Sequence, residues 1–284
     1  MIKLHTENID NCNINILGDW LDNDLNIINE PFNHIIIDNF LQDDYFDKVT
    51  KSLPNSTDNF WEYMNPLEVK YALDRPEYMN DYIVNIFNVL SHPKVIEKIS
   101  NIFGIQDLEY DPYMNGAGLH YHPRNGRLNM HLDYEQHPIL KDKQRRLNII
   151  FYLNKSWKKE WNGSTDLWNY DMTECCFKSY PVANRVIIFE TTENSWHGVP
   201  DKILCPQEEF RKTLAFYYIS PLTSKISKSK TGANKTGYRT KATFVKRPTD
   251  PNDIRMKKLY EIRPNRRITK EDLSEIWPDW TEEV

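Results

Sequence analysis

His131-Leu132-Asp133 and the distant His197 are the residues of this sequence best suited to holding a metal ion. On a strand, residues i and i+2 project from the same face, so His131 and Asp133 reach one ion while Leu132 packs behind them. The third donor must come from elsewhere, and Trp196-His197-Gly198 follows the strand-like run 185–191 after a short turn. Two imidazoles and one carboxylate suit ferrous iron and leave three positions of an octahedral ion open. His-x-Asp alone occurs by chance, so its surroundings decide its weight.

Those surroundings include Arg211-Lys212-Thr213-Leu214-Ala215-Phe216-Tyr217-Tyr218, which reads as a strand beginning 14 residues beyond His197. By alternation Arg211, Thr213, Ala215 and Tyr217 share one face. A guanidinium with a hydroxyl two residues on can clamp a carboxylate, because the planar fork binds both oxygens. Inside a barrel such an Arg requires an anionic partner, since a buried unpaired charge is costly.

Two other histidine groups compete for attention. His120-Tyr121-His122 is how cupin metal sites begin, but Pro123-Arg124-Asn125-Gly126 follows where the next cupin ligand, a Glu, should stand. His120 and His122 are therefore expected to be pocket or surface residues, and His137, beside Pro138, a loop residue.

The elements that must position these groups change character along the chain. Residues 1–30 form a polar, Asn/Asp-rich extension. A short β-branched strand, Ile35-Ile36-Ile37-Asp38, precedes a helix from Asp43 or Asp44 to Leu53. Further helices are expected over 77–90 and over 93–103, the last closed by Gly104. The first hundred residues thus read as largely helical. From 105 to 221, short apolar runs at 147–153, 164–168, 185–191 and 213–219 are separated by turn residues, which suggests a sandwich or barrel. Residues 222–249 carry eight Lys/Arg and no Asp or Glu, and read as a basic loop. Helical character returns over 250–284, with a capping-box-like start at Thr269-Lys270-Glu271-Asp272.

Composition sets the outer bounds. At 284 residues the chain suits one large β domain, and 39% hydrophobic with 13% aromatic residues excludes a disordered or collagen-like chain. A net charge of −5 argues against coating nucleic acid. No apolar run approaches the roughly 18 residues of a membrane helix, and Met1-Ile2-Lys3-Leu4-His5 does not open like a signal peptide. Cys12, Cys175, Cys176 and Cys205 are too few and too irregular for a disulfide scaffold, so a reducing, cytoplasmic setting is expected.

Taken in order, His131/Asp133, His197 and Arg211/Thr213 resemble the iron(II)/2-oxoglutarate-dependent oxygenases, specifically the prolyl-4-hydroxylase-like family. The strand and turn 146–157 and the segment Gly163-Ser164-Thr165-Asp166-Leu167-Trp168 are similar to that family's, although its usual Gly-Gly is here Gly-Ser. The resemblance covers residues 31–221 and implies a mostly β, double-stranded β-helix (jelly roll) core from 105 to 221, with helical support over 40–104. It implies Fe(II) on His131, Asp133 and His197, and 2-oxoglutarate as cosubstrate with its far carboxylate on Arg211 and Thr213. Tyr152 and Tyr121 match family tyrosines of the cosubstrate pocket, though either would serve as a core aromatic. Tyr217 matches an aromatic near the substrate, and Trp168 is a second candidate for that wall or a core residue.

The implied reaction takes dioxygen and 2-oxoglutarate to succinate, CO2 and a hydroxylated product, with ascorbate supportive. Related halogenases replace the metal carboxylate with a small residue, so Asp133 favours hydroxylation. The first expectation for the substrate is a protein or peptide side chain, proline foremost. The alternative is a small molecule such as a free amino acid, a sugar or a biosynthetic intermediate. Nucleic-acid dealkylation is disfavoured because those enzymes carry a second Arg six residues after the first, where Tyr217 stands. No membrane partner is expected, and a non-catalytic binding module is the remote alternative.

Overall fold

His34–Ile37 forms β1, whose inward side chains Ile35 and Ile37 start the main apolar core. The structure is a computed structural model and describes residues 9–223 and 238–281. Helix α1 (Asp43–Lys51) places Asp43 and Asp44 at its N-terminus and Lys48 and Lys51 at its end, which matches the helix dipole. Next come β2 (Trp61–Asn65) and β3 (Glu68–Leu73), an antiparallel hairpin. This hairpin corrects the largely helical reading of the first hundred residues. Its side chains carry no strict alternation, because β3 is buried on both faces at each end.

Helix α2 (Asp81–Leu90) is capped by Asn80, which accepts from the Tyr82 N–H. Helix α3 (Pro93–Phe103) begins with Pro93 and stops at Gly104 in the left-handed region, as its sequence predicts. The β region follows: β4 (Glu109–Tyr110), β5 (Gly118–His122), β6 (Arg127–Leu132), β7 (Lys143–Tyr152), β8 (Thr165–Trp168), β9 (Cys175–Ser179), β10 (Val186–Glu190), β11 (His197–Val199) and β12 (Arg211–Pro221). A short β13 (Thr243–Phe244) and helices α4 (Ile254–Ile262) and α5 (Lys270–Ile276) complete the chain.

The thirteen strands of the described residues belong to one antiparallel sheet that curls on itself; ten follow the order β1-β10-β7-β12-β5-β3-β6-β11-β8-β9, while β2 pairs with β3, β4 with β12 and β13 with β6. The jelly-roll core follows from this curl: β10, β7, β12 and β5 form one wall, and β6, β11, β8 and β9 the other. Outside the first wall, Leu147, Ile149, Phe151, Leu214 and Phe216 pack against Ile83, Ile86 and Phe87 of α2. Each such side chain contributes about 1.5–3 kcal/mol on burial, so the helices fasten the wall from behind. Of the extension before residue 31, Leu17 and Trp20 are buried and Trp20 stacks on Phe40, so its described part is anchored despite its polar composition.

The basic stretch 222–249 is more than a loop. Lys225, Lys228, Lys230 and Lys235 lie outside the described residues, but Arg239 is fully buried and Thr243–Phe244 adds β13 to the edge of β6. The capping box at Thr269 and Asp272 forms as expected. Among the described residues no helix is long and apolar enough to cross a membrane.

Candidate active site

The antiparallel ladder sets His131 of β6 opposite His197 of β11, with ring centroids 4.3 Å apart. Gly198 permits this close approach, because a Cβ there would lie 2.7 Å from the Leu128 carbonyl oxygen. Each imidazole is fixed by its own backbone. His131 Nδ1 donates to the Asn129 carbonyl at 2.9 Å, and His197 Nδ1 to the Ser195 carbonyl at 2.8 Å. A carbonyl only accepts, so both protons sit on Nδ1 and both Nε2 lone pairs are free to bind a metal. Burial, and then His197, lowers the His131 imidazolium to about 3, which keeps the ring neutral.

Asp133 follows β6 directly and completes the triad. Its Oδ1 lies 3.8 Å from His131 Nε2 and its Oδ2 3.3 Å from His197 Nε2. One donor atom from each of the three residues lies within 4.8 Å of the other two, a spacing that one ion spans. Burial alone would raise the Asp133 carboxyl, but Arg145 foremost, then His197, holds it well below the usual range. Neutral nitrogens and a charged oxygen on one side of an open cavity are the donor set that ferrous iron takes. The residues fit the metal.

Asp133 is itself held. Asn148 Nδ2 donates to Oδ2 at 2.6 Å, Arg145 Nη1 lies 3.0 Å from the same oxygen, and Arg239 Nε donates to the Asp133 carbonyl at 3.1 Å. Arg145 is buried between two rings, 3.4 Å from the Tyr217 centroid and 4.0 Å from that of Tyr134. Sequence alternation missed Arg145. The β7/β12 ladder shifts register between Tyr218 and Ile219, and this bulge turns Arg145 to the same side as Asn148, three residues away.

The opposite wall carries the expected clamp. Arg211 and Thr213 face the cavity with Tyr217, on the shared face that alternation predicts. Arg211 is buried; its Nε donates to the Gly163 carbonyl at 2.6 Å and its Nη2 to Thr165 Oγ1 at 3.0 Å. Gly163 has φ +84°, and a Cβ there would press on Arg211 Cδ at 3.2 Å, so glycine serves both the turn and the contact. Burial lowers the Arg211 guanidinium below its usual value, partly offset by Tyr152. Among the described residues no carboxylate pairs with it, so a buried guanidinium faces the cavity without a counter-charge.

Two expected site residues, Tyr121 and Trp168, lie elsewhere, and Tyr152 borders the site. Tyr121 points to the face of β5 opposite His120 and His122. It packs on Phe60 and Phe210 and donates to the Pro54 carbonyl, so it is a core residue and not part of the cosubstrate pocket. Tyr152 does not line the cavity but adjoins its anchor: the Arg211 guanidinium lies 5.3 Å from its ring, and its hydroxyl donates to the Ser179 carbonyl at 2.7 Å and lies 2.8 Å from Thr165 Oγ1. Trp168 projects to the back of β8 and packs with Met130, Leu132 and Trp196 behind the triad, so it is not a substrate wall. His120 and His122 line the cavity, and His137 is buried 3.2 Å from Asp111.

The cavity measures about 340 Å³, the lower end of the range for small-ligand sites. Its outer side is built by the C-terminal segment. Phe244 stacks on His131 with centroids 5.0 Å apart and planes 20° apart. Arg263 of α4 lies 5.2 Å above the same Phe244 ring, and its Nε and Nη2 are each 3.2 Å from Glu68 Oε1 on β3.

Residues 117–219 match the family model of the 2OG-Fe(II) oxygenase superfamily. No curated protein matches the chain. Among solved structures, a Pseudomonas putida prolyl-4-hydroxylase is similar at 15% identity and a TM-score of 0.48, over 65% of this chain and 91% of that one. A Trichoplax adhaerens prolyl hydroxylase, solved with a hypoxia inducible factor oxygen degradation domain peptide fragment, shares 14% identity at a TM-score of 0.48, over 76% and 90% of the two chains. A viral collagen prolyl hydroxylase from Paramecium Bursaria Chlorella virus-1 shares 14% at 0.44, over 66% and 96%. His131, Asp133, His197, Arg211 and Thr213 all lie inside residues 117–219, the stretch that matches the 2OG-Fe(II) oxygenase superfamily model.

Proposed function

We propose that this 2-oxoglutarate-dependent dioxygenase is a hydroxylase, with His131, Asp133 and His197 as iron ligands and Arg211 with Thr213 as the anchor for 2-oxoglutarate. When bound, iron and 2-oxoglutarate supply the oxidising chemistry that consumes dioxygen, releases succinate and CO2 and leaves a hydroxyl on the substrate. The protein's own residues bind, orient and exclude water. Nδ1 of each histidine keeps its proton on a backbone carbonyl, so Nε2 stays available. Arg145 and Asn148 fix Asp133, while Gly163 and Thr165 hold the Arg211 fork in place. Phe244 covers one face of His131 and keeps bulk water from it.

The observation that carries this reading is the pairing of two imidazoles and one carboxylate with a buried Arg211 on the facing wall that has no carboxylate partner among the described residues. Two substrate classes follow. The resemblance to prolyl hydroxylases supports a peptidyl proline. The C-terminal cover of Phe244 and Arg263 supports a small molecule, because an extended peptide needs an open groove where these residues stand.

Purified protein with Fe(II), 2-oxoglutarate and ascorbate should release succinate slowly without added substrate. Mass spectrometry for +16 Da products in peptide and metabolite libraries then separates the two classes. Absence of succinate under every condition would leave only a binding module on this fold.

A further inference from the structure

The chain carries a net charge of −5, yet its active-site cavity is strongly cationic. Lys70, Arg145, Arg211, Lys241, Arg263 and Arg267 line it. Only Glu68, Asp74 and Asp133 oppose them, an excess of three positive charges. A ferrous ion and a 2-oxoglutarate dianion cancel each other, so the excess persists in the loaded site. Low-dielectric walls concentrate such a field and draw in counter-charge.

Part of this charge is already paired. Arg145 faces Asp133, and Arg263 takes Glu68. Lys70 is left over. Its side chain is only 12% exposed, and its nearest carboxylate oxygen is Glu68 Oε2 at 3.9 Å, too far for a hydrogen bond. Burial lowers the Lys70 ammonium, opposed by Glu68, and Asp133 also acts on it, which puts Lys70 on the metal side of the cavity. Tyr63 links it to a second cation: the ring lies 5.2 Å from Lys70 Nζ and 5.1 Å from the Arg267 guanidinium.

A separate observation points to a ligand at the same place. His122 is 2% exposed and neither of its ring nitrogens has a hydrogen-bond partner among the described residues. It pairs with Arg211 across the β5/β12 ladder, and Lys70 is the β3 position before Tyr71, whose antiparallel partner Tyr121 precedes His122. Burial, then Arg211 and Lys70, keeps His122 neutral, so it can donate one hydrogen bond without adding charge. Leaving such a group unsatisfied is unfavourable, and a polar ligand would relieve it.

We infer that the hydroxylated substrate is a small molecule bearing an oxyanion, a carboxylate or a phosphate, bound by Lys70 and Arg267 with His122 as a neutral donor. This rests on the hydroxylase reading and names its substrate class. An internal peptidyl proline offers only neutral amides near the reacting carbon and would leave Lys70 with no more than its loose contact to Glu68.

The test uses matched pairs on the full chain with Fe(II) and 2-oxoglutarate: free amino acids against their carboxamides, sugar phosphates against the parent sugars, and an internal-proline peptide. Succinate release and +16 Da products are followed together. At least one acid is expected to raise succinate release with kcat/KM tenfold or more above its neutral partner, and the responding arm tells carboxylate from phosphate. Lys70→Met is expected to raise KM for that acid at least tenfold, and Lys70→Arg to recover most of it. The same acid should stabilise the iron-free wild-type protein against heat, and its neutral partner should not. Equal stimulation by acids and neutral partners, or stimulation by the peptide alone, overturns this inference and leaves the hydroxylase reading standing. No succinate under any condition overturns that reading and this inference with it.

Discussion

Arg145 Nη1 stands 3.0 Å from Asp133 Oδ2, the same oxygen that receives the Asn148 amide at 2.6 Å. Two donors on one carboxylate oxygen fix the torsion of the side chain and leave Oδ1 turned toward His131. Groups that orient a metal ligand in this way typically change metal affinity by about 10–100-fold when removed. Arg145→Met is therefore expected to weaken Fe(II) binding by about that factor, with part recovered in Arg145→Lys. Anaerobic iron titration reads this directly. Unchanged affinity in Arg145→Met would mean that Asn148 alone orients Asp133.

The clamp gives a different signature. Charge-assisted hydrogen bonds contribute about 1.5–3 kcal/mol each, so Arg211→Met should raise the apparent KM for 2-oxoglutarate by about 10–150-fold. Arg211→Lys should recover little, because an ammonium cannot keep both the Gly163 and Thr165 contacts and still reach a ligand. Steady-state succinate assays across a 2-oxoglutarate series would show it. A KM within twofold of wild type in Arg211→Met would remove Arg211 from the cosubstrate site.

His131→Ala and Asp133→Ala each delete one of three donors from a site that has no described spare. Both variants are expected to lose stoichiometric iron and succinate release while keeping the fold, since each side chain faces the cavity. Metal analysis after gel filtration, with circular dichroism as the folding control, decides this. Wild-type turnover in either variant would reject the ligand set.

How much of this was legible before the fold was known depends on distance along the chain. His131, Asp133, Arg211, Thr213 and Tyr217 obey strand alternation, and the structure brings them to one cavity. Alternation also had the signal to exclude Tyr121, which sits between the cavity-facing His120 and His122, and the family match outweighed it. Arg145 was not legible, because the bulge that inserts Arg146 into β7 opposite Tyr218 and Ile219 breaks the alternation without a mark in the sequence. Nor was Phe244, whose contact with His131 joins segments separated by more than a hundred residues. The basic composition of 222–249 pointed to solvent, whereas Arg239 is buried by pairing with Glu135 at 3.1 Å and by donating to the Asp133 and Thr192 carbonyls.

The buried pair Asp111 and His137 should govern acid stability near the site. Asp111 Oδ1 accepts from the Tyr113 N–H at 2.9 Å and lies 3.2 Å from His137 Nε2, and its Oδ2 accepts from the Asn115 N–H at 2.8 Å. His137 Nδ1 in turn accepts from the Leu140 N–H at 2.9 Å, so its proton sits on Nε2, the nitrogen nearer Asp111. Burial would raise the Asp111 carboxyl, but His137 and the two backbone donors hold it below its usual value. A carboxyl lowered in the folded state stabilises the protein above its unfolded pKa of about 3.9, and that contribution is lost as pH falls through the folded value. Asp111→Asn is therefore expected to cost about 1–3 kcal/mol at pH 7, with the gap to wild type closing below about pH 4. Urea titrations from pH 3 to 7 measure both. A gap of the same size at every pH would mean that the loss is one of shape and packing, with the Asp111 charge contributing nothing.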